Sequence, residues 1–173
     1  MPGSGKSEAM QVAKGLGLPV VRMGDLVWEE VDRQGLPRDP ATVGRIANAM
    51  RETEGPDVWA MRTVARVRQI GARMVLIDGV RSNHEVTVFR RELGDDFTLV
   101  AIHSDQAERF RRMTARARDD DPTDDAAHTE RDEREMGWGI ARTIALADEM
   151  LVNGGSLDAF RGATRRLLER LSG

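Results

Sequence analysis

At 173 residues, with 40% hydrophobic and 32% charged side chains, the chain has the size and composition of one soluble globular domain. The absence of cysteine excludes disulfides and thiolate metal sites. No stretch is long and apolar enough to span a membrane, and none reads as a secretory leader, so the expected compartment is the cytoplasm. A net charge of −3 gives no global reason to expect nucleic acid or a membrane as partner.

The chain opens on Met1-Pro2-Gly3-Ser4-Gly5-Lys6-Ser7. A phosphate-binding P-loop, or Walker A motif, follows the pattern G-x-x-x-x-G-K-[ST]. It uses backbone N–H groups to wrap phosphates, a lysine to reach the outer ones and a hydroxyl to ligate Mg²⁺. Gly5, Lys6 and Ser7 supply its last three positions, and Gly3 permits a close backbone approach. Of the 26 basic residues only Lys6 and Lys14 are lysine. An arginine-rich chain that keeps lysine at this position uses the compact ammonium that the motif needs. The pattern's first glycine would fall one residue before Met1, preceded by a buried strand. The natural product is therefore expected to be longer, with the first strand missing from this chain.

Ser7 to Leu16 carries Ala9, Val12, Ala13 and Leu16 at helical spacing, and Gly15 and Gly17 can stop it. Pro19 to Met23 reads as a short buried strand that hands over at Gly24-Asp25 to a helix through Val31. Asp39-Pro40 begins a further helix with Val43, Ile46, Ala47 and Met50 on one face, and another runs from Asp57 toward Gly71. This helical stretch, about 36–71, suits a flap over an acceptor site. Met74 to Asp78 is the clearest strand, ending in a carboxylate followed by Gly79. Ligands sit beyond the carboxyl ends of strands in α/β sheets, so Asp78 is read as a Mg²⁺-shell residue, with a capping aspartate as the alternative.

Arg81-Ser82 starts a helix with Val86, Phe89 and Leu93 apolar, and Phe97 to Ile102 is the next strand. His103, at its end, reads as a structural histidine rather than a catalyst. Asp105 to Arg118 is a helix crowded with arginine, broken by an acidic loop from Asp119-Asp120-Asp121-Pro122 through Asp125. Thr129 to Met136 is a charged helix carrying Arg131 and Arg134. Two readings stand for the stretch about 109–135: a solvated charged surface, or a lid whose arginines close over transferring phosphates and exclude water. Trp138 to Asp148 continues as helix and Glu149 to Val152 is a last strand. Asn153-Gly154-Gly155-Ser156 then forms a loop, suited to bordering an adenine, whose serine caps the terminal helix. With no repeat or linker, residues 1–173 read as a single domain.

Gly3 to Ser7, Gly24-Asp25, Asp78-Gly79-Val80-Arg81, Arg112 with Arg116, Arg131-Asp132 and the closing Ala147-Asp148 to Ser156 together resemble the nucleoside monophosphate kinase group of P-loop kinases. Within that group the chain is most similar to an archaeal family of uncharacterised adenylate-kinase-like or dephospho-CoA-kinase-like proteins. The resemblance implies an α/β, three-layer P-loop NTPase fold on a five-stranded parallel sheet. ATP phosphates would lie on Gly3, Ser4, Gly5, Lys6 and Ser7, with Mg²⁺ on Ser7 and Asp78. Arg81 would grip the acceptor's phosphate, and Arg112, Arg116, Arg131 and Arg134 would be lid residues. Asn153 and Gly154 would border the adenine. Asp25 would accept a proton if the acceptor is a sugar hydroxyl. Trp28 stands three residues beyond Asp25, where that group tends to carry a phosphate-binding arginine, and is expected to pack rather than stack on a base.

The function expected is an ATP-dependent phosphotransferase on a small nucleotide-like acceptor, a nucleoside monophosphate or dephospho-CoA-like molecule. The alternative is a nucleotide-binding ATPase or regulatory switch without an acceptor. A nucleic-acid module is the weakest reading, because the arginine clusters are interleaved with acids. The sequence leaves monomer and homodimer open.

Overall fold

A computed structural model describes residues 1–116 and 124–173. In chain order the elements are α1 (Lys6–Gly15), β1 (Val20–Arg22), α2 (Met23–Arg33), α3 (Pro40–Glu54), α4 (Val58–Ile70), β2 (Leu76–Asp78) and α5 (Asn83–Leu93). There follow β3 (Val100–His103), α6 (Gln106–Arg116), α7 (Asp125–Gly137), α8 (Ile140–Ala145), β4 (Glu149–Val152) and α9 (Leu157–Ser172). Arg118 and the acidic run from Asp119 to Pro122 lie outside the described residues.

The architecture is α/β, with parallel strand pairs and surrounding helices. The chain forms two compact units. The first comprises Met1–Leu16, Arg81–Asn83 and Thr98–Gly173, and the second Gly17–Val80 and His84–Phe97. In place of one continuous five-stranded sheet, the four strands of the described residues pair two by two, β1 with β2 and β3 with β4.

In the first unit β3 and β4 run parallel from Val100 opposite Glu149 to His103 opposite Val152. Asp148 sets that register. Its backbone N–H donates to Leu99 O at 2.9 Å, and its carboxylate accepts from Leu99 N–H at 2.8 Å. The strand reading that began at Phe97 is thereby shortened, since the ladder starts at Val100. One face of the pair packs on α1 and α9, burying Ala9, Leu151, Phe160 and Leu167, with Val100 and Ile102 beside them. Ser156 caps α9 by accepting from Ala159 N–H at 3.2 Å.

In the second unit β1 and β2 pair from Val20–Leu76 to Arg22–Asp78. Pro19 lacks an N–H for the ladder, yet its carbonyl accepts from Leu76 N–H at 2.9 Å. The core of α2, α3, α4 and α5 buries Met23, Leu26, Val31, Ile46, Met50, Trp59, Val64, Val88 and Phe89. Asp39 caps α3, its carboxylate accepting from both the N–H and the hydroxyl of Thr42 at 2.8 Å. Trp59 Nε1 donates to Ala47 O at 3.1 Å and so locks α4 to α3. Trp28 packs against this core with the Arg38 guanidinium 5.1 Å from its ring.

One expected boundary is corrected in a way that bears on chemistry. Gly24-Asp25 is not a hand-over loop, because α2 starts at Met23, directly on the end of β1. Asp25 thus sits in the first helical turn, where a negative charge suits the N-terminal dipole.

The α2–α4 contact is fixed by Glu30, only 3% exposed. Its carboxylate accepts from Arg33 at 2.6 and 2.9 Å, from Gln34 at 2.7 Å and from Arg62 at 2.9 Å. The Arg33 hydrogen bonds lead in holding its pKa down to about 2, against burial that opposes them. A carboxyl depressed in the folded state stabilises the fold above its unfolded pKa of 4.5 and loses that contribution as pH falls toward 2. Acid titration of stability, followed by circular dichroism, should therefore show a loss across this window that Glu30→Gln flattens. Phe89 is fully buried and stacked on Phe97 at 5.5 Å. Phe89→Ala should cost about 3–5 kcal/mol in urea unfolding followed by tryptophan emission.

Candidate functional site

The opening loop is held by two glycines in the left-handed region, Gly3 at φ 73° and Gly5 at φ 114°. Neither tolerates a side chain. A Cβ on Gly3 would lie 2.7 Å from the backbone oxygen of Arg109, and one on Gly5 would lie 2.5 Å from Asn153 Nδ2. The loop is therefore pressed against α6 on one side and the residue after β4 on the other. Gly5 is the N-cap of α1 and offers no side-chain acceptor. A helix start without a side-chain acceptor is the arrangement that favours anions at helix N-termini. Lys6, exposed, folds back so that its ammonium donates to Met1 O at 3.1 Å.

Arg109 does most to fix this loop. Its guanidinium makes a bidentate pair with Asp132 of α7, at 2.8 and 2.5 Å, and Nη1 also donates to Pro2 O at 3.2 Å. Both side chains of the pair are more than nine-tenths buried. Sequence reasoning saw Arg109 only as one arginine among many. The available signal was its phase: it lies four residues before the fully buried Met113, on the apolar stripe of α6. A charge at such a position requires a partner.

Asn153, 5% exposed, is the second anchor. Its Nδ2 donates to Ser4 O at 2.9 Å, and its backbone N–H donates to His103 O at 2.7 Å. Its backbone oxygen accepts from Ser104 Oγ at 2.8 Å and from Arg112 at 3.1 Å, and Arg112 also reaches its side-chain oxygen at 3.3 Å. Arg112 completes its contacts with Ser104 Oγ at 3.2 Å and Glu108 at 2.9 Å. The hydrogen bond from Arg111, with the charge of Arg112 behind it, holds Glu108 down to about 2. Ser4 is 1% exposed, and its hydroxyl has no partner among the described residues.

The first unit thus brings together Gly3, Ser4, Gly5, Lys6 and Ser7 with Asn153, and through Asn153 with Arg112. Arg116 is exposed at the end of α6, Gly154 is exposed beyond Asn153, and Arg131 and Arg134 lie on α7 beside Asp132 in sequence. Arg81 stacks on Trp138 at 5.1 Å and lies 3.6 Å from Glu135.

Asp25 and Asp78 belong to the second unit, so the sequence-derived metal pair of Ser7 and Asp78 is divided between the two. Arg22, opposite Asp78 in the ladder, stands between the carboxylates, 3.7 Å from Asp78 and 3.9 Å from Asp25. Gly79 turns the chain away at φ 103°.

A family model described as an AAA domain matches residues 1–130, which gives the chain the domain architecture of a nucleotide-binding, ATPase-like protein. The fold resembles the crystal structure of TT1252 from Thermus thermophilus, with a TM-score of 0.62 and 19% identity over 99% of this chain and 94% of that one. A UPF0200 protein of Methanoculleus marisnigri is 43% identical across 100% of this chain and 94% of its own length. One from Hyperthermus butylicus is 44% identical across 100% and 92%. Identity at that level over the whole chain places it plainly: the protein belongs to the UPF0200 family.

Proposed function

We propose that the protein is an ATP-dependent phosphotransferase that moves a phosphoryl group to a small nucleotide-like acceptor, a nucleoside monophosphate or a dephospho-CoA-like molecule. The observation that carries the reading is the opening loop. Two glycines admit no side chain, and the loop runs into an uncapped helix N-terminus that bears Lys6 and Ser7 in its first turn. Backbone N–H groups there wrap the β- and γ-phosphates, and the Lys6 ammonium moves from Met1 O to the outer phosphate oxygens.

Mg²⁺ would be met by the Ser7 hydroxyl, a hard oxygen donor of the kind that ion takes. When bound, the ion supplies charge neutralisation on the phosphates. In the transfer step an acceptor oxygen forms a bond to the γ-phosphorus as the bond to the β–γ bridging oxygen breaks, and ADP leaves with that electron pair. Asp25 accepts the proton where the acceptor is a hydroxyl. Arg81 grips the acceptor's own phosphate, and Arg112, Arg116, Arg131 and Arg134 serve the lid.

A second reading, an ATPase or nucleotide switch, is favoured by one observation: Arg81 and Arg112 are already satisfied within the protein. Turnover separates the two readings. ADP release with Mg²⁺ that rises sharply with one acceptor, together with a phosphorylated product, is expected of the transferase, whereas hydrolysis indifferent to every acceptor would support the switch. Lys6→Ala should weaken ATP binding at least about tenfold, the scale of one lost charged hydrogen bond, and an unchanged calorimetric Kd would overturn the loop assignment. Arg81→Ala should raise the acceptor KM by about tenfold while leaving the ATP KM within about twofold. Equal losses would contradict that division of labour.

A further inference from the structure

Two loop carbonyls, Pro2 O and Ser4 O, point into the protein. The first accepts from Arg109 Nη1 at 3.2 Å and the second from Asn153 Nδ2 at 2.9 Å. A peptide unit is planar, and it is trans throughout the described residues, so each N–H points opposite to the carbonyl it shares a plane with. Fixing Pro2 O inward therefore turns the Gly3 N–H outward, and fixing Ser4 O inward turns the Gly5 N–H outward. Neither N–H meets an acceptor of the protein among the described residues. These two outward N–H groups, on alternate residues, can share an anion as in a concave nest; the Ser4 N–H between them donates to Met1 O at 3.4 Å, and the pair leads directly into the start of α1, which has no side-chain cap.

We infer that Asn153 and Arg109 are positioning residues of the phosphate site: each binds a loop carbonyl from behind and thereby aims one glycine N–H at the phosphates. This rests on the phosphate-loop reading above and refines it, because it moves Asn153 from the adenine border to the back of the loop. The surroundings of Asn153 suit that task. It is nine-tenths buried, and its own carbonyls are held by Ser104 and Arg112, so its Nδ2 has one aim. Gly5 sits so close that a Cβ there would strike that Nδ2. Arg109 is oriented in the same sense by its fork on Asp132, which leaves Nη1 to meet Pro2 O. The ligand class that such a nest selects is a polyphosphate, whatever base or sugar it carries.

The test compares ATP with tripolyphosphate, which has no adenine, on wild type and Asn153→Ala by calorimetry, with ¹H–¹⁵N spectra of the same samples. Positioning predicts that both ligands weaken together, by about tenfold. It also predicts that tripolyphosphate shifts the Gly3 and Gly5 amide protons in wild type, and that in the variant the Gly5 shift collapses while Gly3, held through Pro2 by Arg109, still responds. Loss of ATP affinity with tripolyphosphate affinity intact would return Asn153 to the adenine and overturn the inference. So would a variant in which both glycines respond as in wild type, the result expected if Asn153 only stabilises the fold. Should Asn153→Ala fail to fold, the wild-type spectrum decides: tripolyphosphate binding without movement of the Gly3 and Gly5 amides sinks the inference. Wild type that binds neither ligand is a different failure, that of the phosphate-loop reading itself.

Discussion

The ion pair of Arg109 and Asp132 is the contact on which the geometry of the opening loop depends. Two charges more than nine-tenths buried are tolerable only because they face each other bidentately, and a further guanidinium N–H is used by Pro2 O. Removing either partner would strand a buried charge, a change that costs about 3–5 kcal/mol in comparable settings. One interaction thereby fixes three things at once: the approach of α7 to α6, the path of residues 1–3, and the contact at which Gly3 meets the Arg109 backbone. A hydrophobic pair of similar volume would join the helices equally well. It would not orient a carbonyl.

From that constraint the chemistry of the site follows as an arrangement of dipoles. The loop carries little formal charge of its own beyond Lys6, and on the phosphate-loop reading its attraction for anions would come from backbone N–H groups, with the Pro2 and Ser4 carbonyls already bound by Arg109 and Asn153. Preorganised dipoles of this kind stabilise developing charge without reorganising during reaction. The residue proposed to meet an acceptor has a different character. Arg81 rests on Trp138 beside Glu135, and such a guanidinium responds only to a ligand that offers more than its present partners do.

Features governed by neighbours within a few residues could be read from the sequence, and features governed by distant partners could not. Asp39 and Ser156 cap helices as their residue types and positions imply, and Glu149–Val152 is the strand its apolar run suggested. Trp28 packs. Strand starts were placed too early because apolar character continues through Phe97 and Met74, whereas pairing begins where a partner strand is in reach, at Val100 and Leu76. Asp25 was read as a loop residue because glycine before it suggests a break, yet Gly24 is accommodated in the first turn of α2. The largest omission was the pair of loop anchors. Arg109 finds Asp132 at a separation of 23 residues and Asn153 finds Ser4 at 149, and no local pattern encodes either meeting.

The near-absence of lysine has a consequence for covalent chemistry. Arginine stays protonated and unreactive toward acylating agents at neutral pH, so reagents and enzymes that modify primary amines find only two side chains here, Lys6 and Lys14, both exposed. One of the two is the residue at the tip of the glycine loop. Acylation would erase its charge while leaving the ion-pair lattice of the rest of the molecule untouched, because that lattice is built on guanidinium groups. The arginine bias thus places one of only two side-chain amines at the position where, on the phosphate-loop reading, a single positive charge matters most.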